Sequence, residues 1–202
     1  MDLMLENYFR LAEYMRSGGV VMLPLALVSV AMWLLIIDRV LFFRRLQYKP
    51  MRAQTALDHI KSDRMPDPKQ YRGAISLLVA TFLSRRSADP ELDRFILDET
   101  VLQLNRSLTA YLNVIGALAG IAPLLGLLGT VTGMIATFDI LAVFGTGNAK
   151  AMAGGISEAL ITTQTGLLVA IPGLYMKGLL DRRARVLRQR IASVGYCLWR
   201  QL

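Results

Sequence analysis

Three stretches of this 202-residue chain carry no charged residue and are long enough to cross a bilayer, which takes about 20 apolar residues. They are Gly18–Ile37, Leu108–Phe138 and Ala159–Met176, the last reaching back through Glu158 to Ala151. In a bilayer the backbone must satisfy its own hydrogen bonds, so runs like these are expected as helices. Hydrophobic residues make up 54% of the chain, and little of it remains for a separate soluble core. The expected fold class is an all-α membrane protein with three transmembrane helices, the second and third extended into the cytoplasm.

Charge placement sets the expected orientation. The net charge of +8 suggests nucleic acid at first sight, but the basic residues crowd two segments. Between Asp38 and Arg106 lie 13 Lys or Arg, and after Met176 there are seven. The first 17 residues hold only Arg10 and Arg16, and the linker between the second and third runs holds Lys150 as its one basic residue. This is the positive-inside pattern. It predicts an N-terminus outside and a C-terminus inside, with the basic face addressing lipid headgroups and no nucleic acid.

The expected segments are then a periplasmic amphipathic helix at 1–17, a first span at 18–37 and a cytoplasmic helical loop at 38–107. A second span at 108–140, a short periplasmic loop at 141–153, a third span at 154–180 and a basic helical tail at 181–202 complete the chain. Met1–Arg16 has mixed charge and no clean cleavage site, unlike a signal peptide. Its apolar residues recur at helical spacing and suit an interfacial helix. Within the loop, Met65-Pro66-Asp67-Pro68 marks a break, and Gly73–Leu83 reads as an apolar helix. Asp89-Pro90 reads as a cap followed by the first helical residue. No breaker follows before Gly116, so one helix is expected to run from Pro90 straight into the second span. The single Cys197 forms no internal disulfide.

The third run holds the costly residue. A carboxylate at membrane depth costs roughly 2.5–3.5 kcal/mol or more, and Glu158 is the only Asp, Glu, Lys, Arg or His between Ala151 and Met176. On a straight helix Thr162 and Thr165 share its face, while Thr163 points to one side. Counting about 1.5 Å per residue back from Lys177 places Glu158 some 28 Å away, in the outer half of the span. The chain offers it no embedded Lys, Arg or His. Either it is held neutral or its counter-charge belongs to another chain.

The second run is small and hydroxylated around Pro123. Gly116/Gly120 and Gly129/Gly133 are small-xxx-small pairs that let helices approach closely. Gly126, Thr130, Gly133 and Thr137 fall on one face, suited to packing or to a narrow pore. Enzyme readings find no support: a phosphate loop, a nucleophile elbow, paired Cys and a catalytic His are all missing. His59, the only histidine, has no partners at metal-ligand spacing, and no metal or other cofactor is expected.

Ala122-Pro123-Leu124-Leu125-Gly126-Leu127-Leu128-Gly129-Thr130-Val131, followed by Gly155-Ile156-Ser157-Glu158-Ala159-Leu160-Ile161-Thr162-Thr163, resembles the MotA/TolQ/ExbB proton-channel family. The likeness covers about Leu108–Leu180. Three spans match the ExbB and TolQ branches better than the four-span MotA stators. The resemblance implies a ring, a pentamer in this family, enclosing the spans of an ExbD- or TolR-like dimer whose Asp carries protons. It implies an ExbB-like role in energising TonB-dependent uptake. The alternatives are a TolQ-like role with a TolA-like transducer, or a purely structural membrane scaffold. It assigns Thr130 and Thr163 as pore-lining hydroxyls. Glu158 becomes the carboxylate that affects proton passage or ring assembly.

Overall fold

A computed structural model of the chain describes residues 6, 13–47, 51–67, 73–87, 89–145 and 149–201. Among the described residues the only regular elements are helices: α1 (Met22–Gln47), α2 (Ala53–Lys61), α3 (Ala74–Arg85), α4 (Pro90–Thr109), α5 (Leu112–Phe144) and α6 (Ala149–Trp199). Residues 13–17 are also helical, while 1–5 and 7–12 of the expected interfacial helix lie outside the described residues. Among the described residues three helical stretches are long and apolar enough to cross a membrane: Met22–Leu46, Pro90–Phe144, which is interrupted between α4 and α5, and Ala149–Trp199. The chain forms two compact units. One comprises the chain up to Ile36 together with Val114–Lys177; the other comprises Ile37–Asn113 and everything from Gly178 onward.

In the first unit, α5 and α6 pack along a stripe of small residues, and α1 joins them through Met32. That side chain is fully buried and lies where a Cβ on Gly173 would fall, a point 3.1 Å from the Ala119 Cβ. Outward, the same helices expose Leu23, Leu27, Val30, Leu124, Leu127, Val131, Leu160, Leu168 and Ile171. Outer faces this apolar suit lipid or neighbouring helices rather than water. Pro123 and Pro172 sit within α5 and α6 without ending them, as neighbouring helices in a bilayer permit.

The second unit has a conventional apolar core, with Phe43, Phe82, Leu97, Leu180 and Ile191 fully buried. Each such side chain contributes about 1.5–3 kcal/mol. The expected cap at Asp89 is present: its side chain accepts from the Glu91 N–H at 3.0 Å, with Pro90 opening α4. Helix α2 lies on the N-terminal side of the predicted proline break and is not among the helices expected from the sequence. A polar clamp ties α2, α3 and α4. Arg86 donates to Ile60 O at 3.0 Å, to Asp63 Oδ1 at 3.2 Å and to Asp93 Oδ2 at 3.1 Å. The buried Asp93 also accepts from the Ser87 N–H at 2.7 Å.

The expectation of one helix from Pro90 into the second span is corrected. Helix α4 ends at Thr109 and α5 starts at Leu112. Between them Tyr111 adopts φ +63°, a left-handed conformation costing a side-chain-bearing residue about 1–2 kcal/mol. The compensation comes from α1. Arg39, 8% exposed, lies 4.8 Å from the Tyr111 ring centroid and 4.7 Å from that of Phe42. It also donates to Ser107 O at 3.2 Å, in the last turn of α4. Cations over rings contribute about 0.5–2 kcal/mol each, enough to offset the strained residue.

Asp93→Asn keeps the shape of the clamp and removes its charge. We expect a stability loss of about 1.5–3 kcal/mol, the range for hydrogen bonds to charged groups, read as a lower thermal midpoint in detergent. Glu99→Gln is the control. Its 3.7 Å pair with Arg85 is exposed on both sides and should matter by less than about 1 kcal/mol.

Candidate functional site

The small residues of α5 and α6 are spaced three and four apart, so each set forms a straight stripe along its helix. On α5 the buried stripe is Ile115, Ala119, Ala122, Gly126, Gly129, Gly133 and Thr137. On α6 it includes Gly155, Ala159, Thr162, Gly166 and Gly173. The two run antiparallel and close. A Cβ on Gly133 would lie 2.7 Å from Gly155 O and 2.9 Å from the Ala159 Cβ. A Cβ on Gly166 would lie 2.7 Å from Ala122 O, and one on Gly126 would lie 3.1 Å from Thr162 O. Gly129 receives the Thr162 side chain, and Gly155 receives that of Thr137. Backbone-to-backbone approach of this kind replaces the hydrophobic drive that lipid removes.

The hydroxyls sort by what they meet. Thr163 donates to Gly126 O across the helix pair at 3.1 Å. Thr162 is completely buried and returns its hydrogen bonds to its own helix, at Ala159 O (2.9 Å) and Glu158 O (3.1 Å). Thr137 bonds Gly133 O at 2.9 Å. Thr130, partly exposed, bonds Leu127 O at 2.7 Å. Gly129, not Thr130, occupies the packed stripe beside Gly126, Gly133 and Thr137. Gly120 is exposed, and a Cβ there would meet nothing within 4 Å; Gly116 lies against the Lys177 stem. Pro123, partly exposed, follows Ala122 at the Gly166 crossing.

Glu158 and Thr165 lie two turns apart on α6, both partly exposed, but Thr162 between them turns into the helix pair. What Glu158 and Thr165 meet is the segment preceding α1. Tyr14 Oη lies 2.7 Å from Thr165 Oγ1. The Glu158 carboxyl lies against Gly19, whose φ is +68°. Among the described residues no basic side chain forms an ion pair with Glu158. Tyr14 and Gly19 are not among the site residues expected from the sequence. The only trace there is the Gly18-Gly19 pair at the head of the first run, which spacing alone could not connect to a residue 139 positions later.

These contacts make the stripe testable. Gly133→Ala should cost about 1–3 kcal/mol through overpacking, against about 1 kcal/mol gained in helix propensity. Gly120→Ala keeps the gain and adds no collision. Thermal midpoints in detergent should therefore fall for the first relative to the second.

Comparison with known sequences gives a consistent picture. The profile of the MotA/TolQ/ExbB proton channel family matches residues 55–193. A Synechocystis protein named putative biopolymer transport protein ExbB-like 1 is 34% identical over 175 residues, covering 83% of this chain and 69% of its own length. The biopolymer transport protein ExbB of Aquifex aeolicus is 37% identical over 112 residues, 55% of this chain and 72% of its own. An ExbB homologue of Methanothermobacter thermautotrophicus is 25% identical over 222 residues, covering 99% of this chain and 75% of its own. The family match begins at residue 55, well before the motifs that suggested it.

Proposed function

The chain belongs to the MotA/TolQ/ExbB proton channel family, and from that premise we propose that it is the ring-forming subunit of an inner-membrane proton-driven motor. Copies of the chain assemble as a pentamer around the single spans of an ExbD-like dimer. The complex couples the proton motive force to a TonB-like transducer and so to outer-membrane uptake. The observation that carries this reading is Glu158, an acid within an otherwise uncharged span, partly exposed beside the close-packed α5–α6 stripe.

The physical division of labour follows from the hydrogen bonds. The glycine stripe and the buried Thr162 hold α5 and α6 at fixed spacing. Thr163 fixes their register through Gly126 O. A rigid pair of this kind can keep its polar flank, where Glu158, Thr165 and Thr130 are partly exposed, beside a moving partner without losing its own geometry. The partner's carboxylate carries the proton, and Glu158 tunes the field along its path. The names of the relatives favour the ExbB-like over the TolQ-like assignment.

Glu158→Gln preserves shape and removes the charge. We expect proton-driven uptake to fall by about tenfold or more, as for loss of a group acting on developing charge, with the ring intact by native mass spectrometry. Collapse of the ring without a separable loss of proton flux would favour the scaffold reading. Orientation has its own test through Cys197, the sole cysteine, which is exposed. A membrane-impermeant maleimide should label it from the cytoplasmic side; labelling from the periplasmic side of intact spheroplasts would reverse the proposed topology.

A further inference from the structure

Two contacts place one short segment along the Glu158 stripe. Residues 13–17 form a helical turn that closes at the double glycine: Gly18 N–H donates to Tyr14 O at 3.3 Å and Gly19 N–H to Arg16 O at 3.4 Å. Gly19 then takes φ +68°, the left-handed conformation that commonly ends a helix. Its carbonyl accepts from the Met22 N–H at 3.2 Å, so the same residue ends one helical turn and opens α1. Tyr14 and Gly19, five residues apart, meet Thr165 and Glu158, seven residues apart on α6. The Thr165 hydroxyl donates to Ile161 O at 2.7 Å, which leaves Tyr14 as the donor in the 2.7 Å contact with Thr165 Oγ1.

We propose that the Tyr14–Gly19 segment is the seat of Glu158, with Gly19 as a positioning residue for the proton path. The fit depends on the missing side chain. A Cβ at Gly19 would overlap Glu158 Oε1, and would stand 2.6 Å from its Cδ and 3.3 Å from its Cγ. A side chain at this position would push the carboxyl out of its place, and only glycine adopts this backbone without strain. The seat immediately precedes α1: the carboxyl lies against Gly19, three residues before the first turn starts at Met22. Tyr14 fixes the far end of the segment at Thr165, so the segment meets α6 at two points, and the Gly19 end is the one against the carboxyl. This role of the segment rests on the proposed channel function only for its consequence in proton flux.

The test uses full-length rings co-purified with their partner and placed in lipid vesicles. Infrared difference spectra report the Glu158 carboxyl, isolated by subtraction against Glu158→Gln, and a pH-sensitive dye reports proton flux. Gly19→Ala should shift the carboxyl band and lower flux by about tenfold or more, as displacement of a working group by about 1 Å does. Tyr14→Phe should shift the band in the same direction and lower flux by about twofold to tenfold, the range for one hydrogen bond. Gly19→Ala combined with Glu158→Asp, whose shorter side chain retreats from the added methyl, should recover part of the loss. Gly19→Ala rings with an unchanged band overturn the seat. If Gly19→Ala does not assemble, Tyr14→Phe decides, and an unchanged band there overturns it. Wild-type rings without flux, but with a band that moves in Gly19→Ala, sink the channel reading and leave the seat standing.

Discussion

The close approach of α5 and α6 underlies the membrane-spanning unit. Apolar side chains gain little by leaving lipid for each other, so attraction between spans must come from contact at short range. Glycine supplies it by removing what would keep two backbones apart. At Gly126, Gly133, Gly155 and Gly166 the nearest atoms on the facing helix are mostly backbone atoms. Dispersion falls steeply with distance, so each of these positions counts for more than its size suggests. The interhelical bond from Thr163 to Gly126 O is possible only at this spacing. The polar surface of α6 is thereby divided into hydroxyls that serve the helix pair and groups left for other duties.

Much of this was legible because it is periodic. Small residues recurring every three or four positions announce a packed helix face, and an uncharged run of about 20 residues announces a span. The cap at Asp89 was legible because capping is local chemistry. The choice between Gly129 and Thr130 for the packed face was not. Both fit the spacing, and the backbone approach selects the residue without a side chain. For the same reason Thr162 was grouped with Glu158 on a helical wheel, although it turns inward to fill the notch at Gly129.

The remaining misses share a different cause: the determinant sits on another element. Nothing near Tyr111 breaks a helix by composition. The break is held by Arg39, stacked between Phe42 and Tyr111 and bonded to Ser107 O. The seat of Glu158 depends on Gly19 in the same way. Single-sequence reasoning sees propensity and period, which are properties of neighbours in the chain. It does not see which distant side chain makes an unfavourable conformation worthwhile.

The interruption at Tyr111 has an evolutionary consequence. In an uninterrupted helix, inserting or deleting one residue turns everything beyond it by about 100°. A glycine stripe downstream would then point away from its partner. Because α4 and α5 are separate helices joined through a left-handed residue, α4 can change length without dictating the rotational phase of α5. Related chains can therefore diverge in the length of the segment before the second span while keeping the Gly126–Gly133 face in place. Helix α6 has no such joint between Ala149 and Trp199, so its length is expected to be the more tightly constrained of the two.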